Sequence, residues 1–516
     1  MIVAQSTSGS DAVLPSSGSP PSNTRGGNPA RNWKRFLDPA IFAFLLLFAV
    51  ALPHSIKGAE RGWKIAFGLW LLKLVADRTR PFSQPLAAPL LAYVVLSAIS
   101  TALSPDPYLS WDRMKFVCLF LVGIVVAQNV KRISQVRCLV LFLVFSGFAA
   151  ALFTGWQYAY GVGVRIQALS PSSRLARVGL DTGYIVTRFS GHAVRTPDQL
   201  VQAVKSLPSG IVVPVEYIFA QSPQPNVLSI TPGDFLQSGL GTPALLLARG
   251  RPIRAQGTLG HYVVFAEMLM QVGCMAWALL LSARPEDFRS KVLLGVAFLA
   301  ITAALLMTET RAAVGALVLG CLVSLLLLAK RTTRILAIGA LILIVGGATL
   351  WIQHRRGTVW VDRDDISTQF RLMMWEDGLR LVRQHPWFGV GMETVRLHFQ
   401  EWNIRAFMKY NVRSHFHSTF VQIAVERGIP ALLAWLWFCT AYFLFLLRLI
   451  PRLRARSRFA AGVAVGALAG LIGFTFTSFF HYNIGEESLA MILFFYYGLA
   501  AAMDRVLTTP AAIDVA

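Results

Sequence analysis

The chain has 516 residues, of which 55% are hydrophobic and 14% charged, with a formal net charge of +22 and a mean hydropathy of +0.55. A soluble chain carries about 25% charged residues, so a soluble globular protein is excluded and a polytopic membrane protein is indicated. The excess of positive charge does not point to nucleic acid. Clusters of Lys and Arg fall in short loops between apolar runs, and no basic stripe interleaves with aromatics on a soluble face.

In chain order, residues 1–30 are rich in Ser, Gly, Pro and Asn, cannot bury a core, and read as a disordered cytoplasmic tail. The stretch RNWKRFLDPAIFAFLLLFAV then resembles a signal anchor. No small-residue cleavage site is evident, so it is expected to be retained. Apolar runs predict N-terminal membrane helices at 37–53, 63–76, 86–103, 114–130 and 137–159, within residues 31–159. Central helices follow at 260–282, 291–308, 312–329 and 335–351, within 260–351. C-terminal ones lie at 418–447, 459–479 and 488–505, within 418–516. The expected fold class is an all-α polytopic membrane protein of about 12 transmembrane helices with a small α+β insert.

Basic clusters alternate with the helices: Arg31/Lys34/Arg35, Arg78/Arg80, Lys131/Arg132/Arg137, Arg284/Arg289/Lys291, Lys330/Arg331/Arg334, and Arg448 through Arg458. By the positive-inside rule both termini are then cytoplasmic. Two long segments, 160–259 and 352–417, face outward, and chemistry is expected on that face. Cys118, Cys138, Cys274, Cys321 and Cys439 lie in or beside apolar runs without metal spacing and read as small apolar residues. No metal and no cofactor is expected.

The first outward segment carries RVGLDTGYIVTRFSGHAVRTPDQLVQAVKSLPSGIVVPVEYIFA, residues 177–220. Its alternation predicts a strand at 184–189 and a turn at Ser190-Gly191. A helix capped by Thr196 follows, with Pro197 first and Leu200, Val201, Val204 and Leu207 on one face, then a second strand at 211–218. The arrangement, about 174–220, resembles the C-terminal half of a PDZ domain. The usual carboxylate-binding loop is not recognisable upstream, so peptide binding is not expected. The alternative is a small α+β insert that packs on the membrane domain.

Ionisable groups at the ends of spanning helices are costly and point to function. In MTETRAAVGA, residues 307–316, Glu309 and Arg311 share a very short outer turn, and Thr308 or Thr310 is a cap candidate for the next helix. Free helical N–H groups and a guanidinium at one place suit a phosphate; the plain alternative is an interfacial turn with a Glu309–Arg311 pair. In STQFRLMMWEDGLRLVRQHPWFGVGMETV, residues 367–395, apolar positions alternate with Arg371, Arg380 and Arg383 in helical rhythm. This predicts an amphipathic helix along the outer interface with Trp375 and Trp387 at headgroup depth. Two glycines of the following break would let backbone amides approach an anionic ligand; otherwise the arginines simply meet lipid headgroups. The acidic run at 362–365 reads as a solvated turn.

The third place is VRSHFHSTFVQIAVERGIPALLAW, residues 412–435. Here His417 is expected at or within the first turn of a helix, where the dipole and partial desolvation both disfavour its protonation. A neutral imidazole is what a general base needs. A helix over 418–447 would be about 45 Å long, more than the roughly 30 Å apolar core. Gly428 and Pro430 are therefore expected to break it and keep Glu426 and His417 near the outer surface.

Together these stretches resemble the O-antigen ligase and polymerase superfamily. IRAQGTLGHYVVFAEML (253–269) is similar to the family's small-residue segment before a middle helix, TETRAAVGA to its Arg-bearing outer turn, and FRLMMWEDGLRLVRQHPWFGVGMET to its Arg, Trp and P…GvG loop. HFHSTFVQIAVERGIPALL is similar to its His element leading to E-x-G-I-P. The resemblance spans roughly 250–435 with its elements in family order, and the insert at 160–250 departs from it. It implies a GT-C-like enzyme of the bacterial inner membrane that moves a glycan from undecaprenyl pyrophosphate to a glycan acceptor, in the ligase branch a hydroxyl of lipid A–core. Carried over, Arg311 and Arg371 would bind the pyrophosphate and His417 would activate the acceptor. Arg254, His415, Glu426 and Glu309 would have supporting places. A single displacement would invert the anomeric carbon without a metal. A polymerase or a protein O-oligosaccharyltransferase would use the same residues. A lipid-linked glycan transporter predicts charges midway through several helices and an internal repeat, neither of which is seen. A membrane sensor built on the insert would leave the Arg311, Arg371 and His417 set without a purpose.

Overall fold

The computed structural model describes residues 34–330, except 79, 80, 82, 220–225, 252, 253 and 285, and residues 366–508, except 411 and 412, with scattered positions between 335 and 350. The tail at 1–30, most of the helix expected at 335–351, and the acidic run at 362–365 lie outside the described residues.

The N-terminal third is helical: α1 (Lys34–Ala51), α2 (Ile56–Asp77), α3 (Ala87–Ala102), α4 (Pro107–Val117), α5 (Phe120–Asn129) and α6 (Ile133–Tyr160). Ser55 caps α2 by accepting from the Gly58 amide, which starts the helix seven residues before the expected 63. The expected helix 114–130 is two helices. Asp106 caps α4, with Pro107 in its first turn. The chain then turns at Cys118 and Leu119, where Leu121 and Val122 donate to the carbonyls only three residues back, both at 3.0 Å. That corner carries neither Gly nor Pro, so no local signal announces it. With 10 residues, α5 is about 15 Å long, too short to cross alone. It packs against the last helix, Glu487–Thr508, where a Cβ on Gly498 would stand 2.5 Å from the Gly123 carbonyl oxygen.

The insert is a small antiparallel sheet flanked by short helices: β1 (Gly163–Leu169), α7 (Arg174–Arg177), β2 (Tyr184–Phe189), β3 (His192–Ala193), α8 (Pro197–Lys205), β4 (Val213–Phe219), β5 (Asn226–Ile230), α9 (Pro232–Gln237) and β6 (Leu245–Gly250). The strand order is β5-β4-β2-β1-β6, with β3 turning back on β2. Thr196 caps α8 as expected, accepting from Gln199, and Leu200 and Val204 are buried. The second strand starts at 213 rather than 211. Ile211 and Val212 remain exposed because Ile211 donates to Pro208 in a turn. β6, for which no strand was expected, pairs antiparallel along β1 and packs on α8.

The remainder comprises α10 (Tyr262–Ser282), α11 (Phe288–Met307), α12 (Arg311–Leu328), α13 (Ile366–Gln384), α14 (Arg405–Tyr410), α15 (Thr419–Arg454), α16 (Arg458–Thr477) and α17 (Glu487–Thr508). Among the described residues seven helices are long and apolar enough to cross a membrane: α6, α10, α11, α12, α15, α16 and α17. Two shorter apolar segments are Phe36–Ala51 and Ala87–Ala102. The chain is a multi-pass membrane protein. α10 and α16 form its centre, with Met270 and Met275 of α10 lying over Gly473 and Gly466 of α16. Small residues of this kind let membrane helices approach closely.

α15 is broken where expected. Gly428 has φ 82° and ψ 171° inside an otherwise helical run. The helix length is 36 residues, extending to Arg454. α13 is amphipathic, as expected, but its apolar face does not simply lie on lipid. Met374 and Leu381 enter a separate small core with Val390, Val395, Ile404, Phe407, Phe416 and Val425. Trp387 is 70% exposed, whereas Trp375 is drawn inward and donates to the Phe416 carbonyl at 3.0 Å. Buried Asp377 ties α13 to α14, accepting from Arg405 at 2.7 Å.

Candidate active site

The polar residues gather at one end of the bundle. There α10, α12, α15 and α17 begin and α11 and α16 end. Lys131, Arg132, Arg284, Arg289, Lys291 and Arg448 to Arg458 belong to the helix ends and connections opposite.

His417 lies one residue before the Ser418 N-cap of α15, not within its first turn. Its φ of 49° is left-handed, a strained conformation for a side chain of this size, and such strain clusters at functional sites. Burial lowers the His417 pKa to about 3, and the charges of Arg371, His481 and His261 push the same way. The expected neutral imidazole therefore has a cause in its neighbours. Phe370 covers the ring edge to face at 5.5 Å, and Ser414 Oγ lies 3.5 Å from Nε2. Arg371, one residue after Phe370 on α13, is half-buried.

Three further histidines surround this pair. The His415 ring centroid is 4.4 Å from that of His417 and 5.5 Å from that of His481, and His261 stacks on His481 at 6.5 Å. Burial lowers His261 to about 4, helped by His481 and opposed by Glu267. His415 is held well below its usual range by burial and the neighbouring His417, His481 and His261. His481 is the exception. Burial alone would lower it, but the Glu267 carboxylate, 2.8 Å from Nδ1, leaves it raised.

Arg311 opens α12, and Gly315 one turn later faces Phe476, just before the Thr477–His481 corner. Arg311 thus belongs to the same end of the bundle. Glu309 is buried with φ 52°. Thr310 stands at the N-cap of α12 but makes no capping bond, and Thr308 instead donates to Leu305. Arg254 rests over the Tyr262 ring at 4.4 Å beside His261, and the following Ala255 amide donates to Met307.

Glu426 is a joint rather than a group facing a cavity. Its Oε1 accepts from the Glu393 amide and from Gln422, both at 2.8 Å, and Oε2 from the Tyr482 hydroxyl at 3.4 Å. Arg427 beside it is buried between the Tyr93 and Tyr482 hydroxyls. The glycines of the P…GVG break also differ from expectation. The Val390 and Gly391 amides donate to the Val425 and Glu426 carbonyls, each at 2.9 Å, so they are engaged with the α15 backbone and not with a ligand.

Residues 296–436 match the O-antigen ligase family model. Over that segment the chain is similar to the O-antigen ligase family. No curated protein matches the chain. The segment includes Arg311, Arg371, His415, His417 and Glu426, whereas Arg254, His261, Glu267 and His481 lie outside it.

Those last three, with Arg427, were missed from sequence. Glu267 is a carboxylate within an apolar helix and HYNIGEES is a polar island between two apolar runs; both were visible signals by the intramembrane-charge rule. Beside His415 a recess of about 110 Å³ is also lined by Glu393, Val395, Arg396, Arg413, Ser414 and Gln422. A larger one, about 390 Å³, lies at the opposite end among Leu327, Leu447, Ile450 and Pro451, and lacks a convergent polar set. His415, His481 and Glu486 hold one ligand-capable atom each within 4.8 Å of one another. The His415 tautomer does not suit a cation there. Its Nδ1 accepts from the His417 amide at 3.1 Å, which puts the ring proton on Nε2.

Proposed function

We propose that the chain is an O-antigen ligase-like glycosyltransferase, moving a glycan from undecaprenyl pyrophosphate to an acceptor hydroxyl of lipid A–core. The reaction takes place at the periplasmic face of the bacterial inner membrane, inverts the anomeric carbon and requires no metal. The observation that carries this reading is His417, strained and uncharged, beside Arg371 at the end of the bundle away from the basic loops. With about 12 spans and both termini cytoplasmic, that end faces the periplasm. We read the insert as PDZ-like, with β6 filling the groove between β1 and α8 where a peptide would otherwise bind.

Arg311 and Arg371 hold the diphosphate and neutralise the charge that grows on it as the bond to the sugar breaks. His417 removes the acceptor proton as the new bond forms. The Arg371 charge couples the two events. In the empty site it adds to burial in keeping the imidazole a weak base, and a bound diphosphate offsets that charge and makes the imidazole more basic than in the empty site. The base becomes effective once the donor is in place.

The test is deletion of the gene, with lipopolysaccharide examined on gels after complementation by wild type, His417→Ala, Arg311→Ala or Arg371→Ala. Ligase activity predicts unattached O-chains on their lipid carrier in the deletion strain and in each variant. Core bearing a single repeat would mean a polymerase, and lost protein glycosylation with unaltered lipopolysaccharide a protein transferase. Full complementation by all three correctly inserted variants would refute the site.

A further inference from the structure

The side of the cluster outside the matched segment has an internal order of its own. Glu267, on the second turn of α10, is 1% exposed. One carboxylate oxygen is 2.8 Å from His481 Nδ1 and the other accepts from Thr477 Oγ1 at 2.9 Å. A carboxylate in that position keeps a proton on His481 Nδ1 and fixes the orientation of its ring. In His415, Nδ1 accepts from the His417 amide and the proton is on Nε2. The polar ring atoms of these two histidines lie within 4.8 Å. The two rings meet edge to face with centroids 5.5 Å apart, so the ring held by Glu267 seats the ring that accepts from the His417 amide.

The same corner also grips the chain beyond His417. The Thr419 amide donates to the Ser478 carbonyl at 2.8 Å and the His481 carbonyl at 3.1 Å, and its hydroxyl donates to Asn483 Oδ1 at 2.8 Å. A left-handed histidine persists only where its surroundings over-determine it. Here they do so from residue 415 on one side and residue 419 on the other.

We propose that Glu267 and His481 form an orienting dyad that seats the His415 ring and, through it, holds the pose of His417. They are positioning residues: they act through His415 and need not touch substrate. This rests on the reading of His417 as the base.

The test uses full-length protein in nanodiscs, an undecaprenyl-diphosphate oligosaccharide as donor and lipid A–core as acceptor. Glu267→Gln and His481→Asn are each expected to lower kcat by about tenfold to a hundredfold, part of the 10²–10⁴ that acid–base catalysis supplies, while KM for the donor stays within about twofold. Glu267→Asp, which keeps the charge, should recover much of the loss. Solid-state ¹⁵N spectra of the ring nitrogens should show one His415 environment in wild type and more than one in His481→Asn, as the ring loses its seat. If Glu267→Gln does not insert, His481→Asn decides alone.

Wild-type kcat in His481→Asn, with His417→Ala inactive, would overturn the dyad and leave the base assignment standing. A parallel fall of kcat and melting temperature with an unchanged His415 spectrum would mean a packing role only, and would also overturn it. Full activity of His417→Ala would instead sink the reading of the base itself.

Discussion

Gly389 offers a sharp test of how the loop before the candidate active site is held. It has φ 66°, and a Cβ there would stand 2.5 Å from the Arg427 backbone nitrogen and closer still to Val425 O and Glu426 C. All three obstacles are backbone, so no rotamer change relieves them. Gly389→Ala must force the loop away from α15 and break the Val390–Val425 and Gly391–Glu426 hydrogen bonds. Left-handed strain of about 1–2 kcal/mol and two hydrogen bonds of about 1 kcal/mol each give a loss near 3–4 kcal/mol. Gly68→Ala is the matched control. It lies within α2 with nothing inside 4 Å of its Cβ, and should gain about 0.5–1 kcal/mol of helix stability. Thermal unfolding of the two variants in the same detergent compares them directly. A Gly389→Ala protein that melts with wild type and retains activity would refute the packing argument.

In Arg371→Gln the His417 pKa should rise above about 3 as an adjacent positive charge is removed, while burial still holds it below 6.5, read from the pH titration of its ring proton by NMR; no movement would separate the two groups. Because folding depresses this pKa, the associated stability is fully present above 6.5 and is lost as pH falls toward 3. The melting temperature of wild type should therefore fall more steeply than that of His417→Gln across that window. Gln271 is fully buried in α10, and neither side-chain polar atom has a hydrogen-bond partner among the described residues. Gln271→Met should raise the unfolding midpoint, since an unsatisfied buried group costs about 1–3 kcal/mol; a lower midpoint would show that the amide has a partner in the working protein.

Features that announce themselves locally were readable from the sequence. Thr196-Pro197 starts a helix, alternation marks the strand at 184–189, and Gly428 with Pro430 interrupts an apolar run too long for a bilayer. His417 and Arg371 were readable because family motifs surround them. The corner at Cys118–Leu119 was not, because its tight bonds are made by ordinary apolar residues. Nor was the histidine cluster, since His261, Glu267, His415 and His481 come from three separate stretches and meet only when α10, α15 and α16 pack. The glycines of the P…GVG break were seen but misread. A glycine signals close approach, and sequence does not say whether a ligand or the chain itself approaches.

The break in α15 also limits which parts of the chain can be exchanged with relatives. Val425 and Glu426 offer their carbonyls to Val390 and Gly391, and Ile429 donates to Pro386, so residues 386–393 and 422–430 form one mating pair. A chimera that imports one without the other leaves open main-chain groups inside the protein. Swaps are better cut within the insert at 163–250, which lies outside that joint.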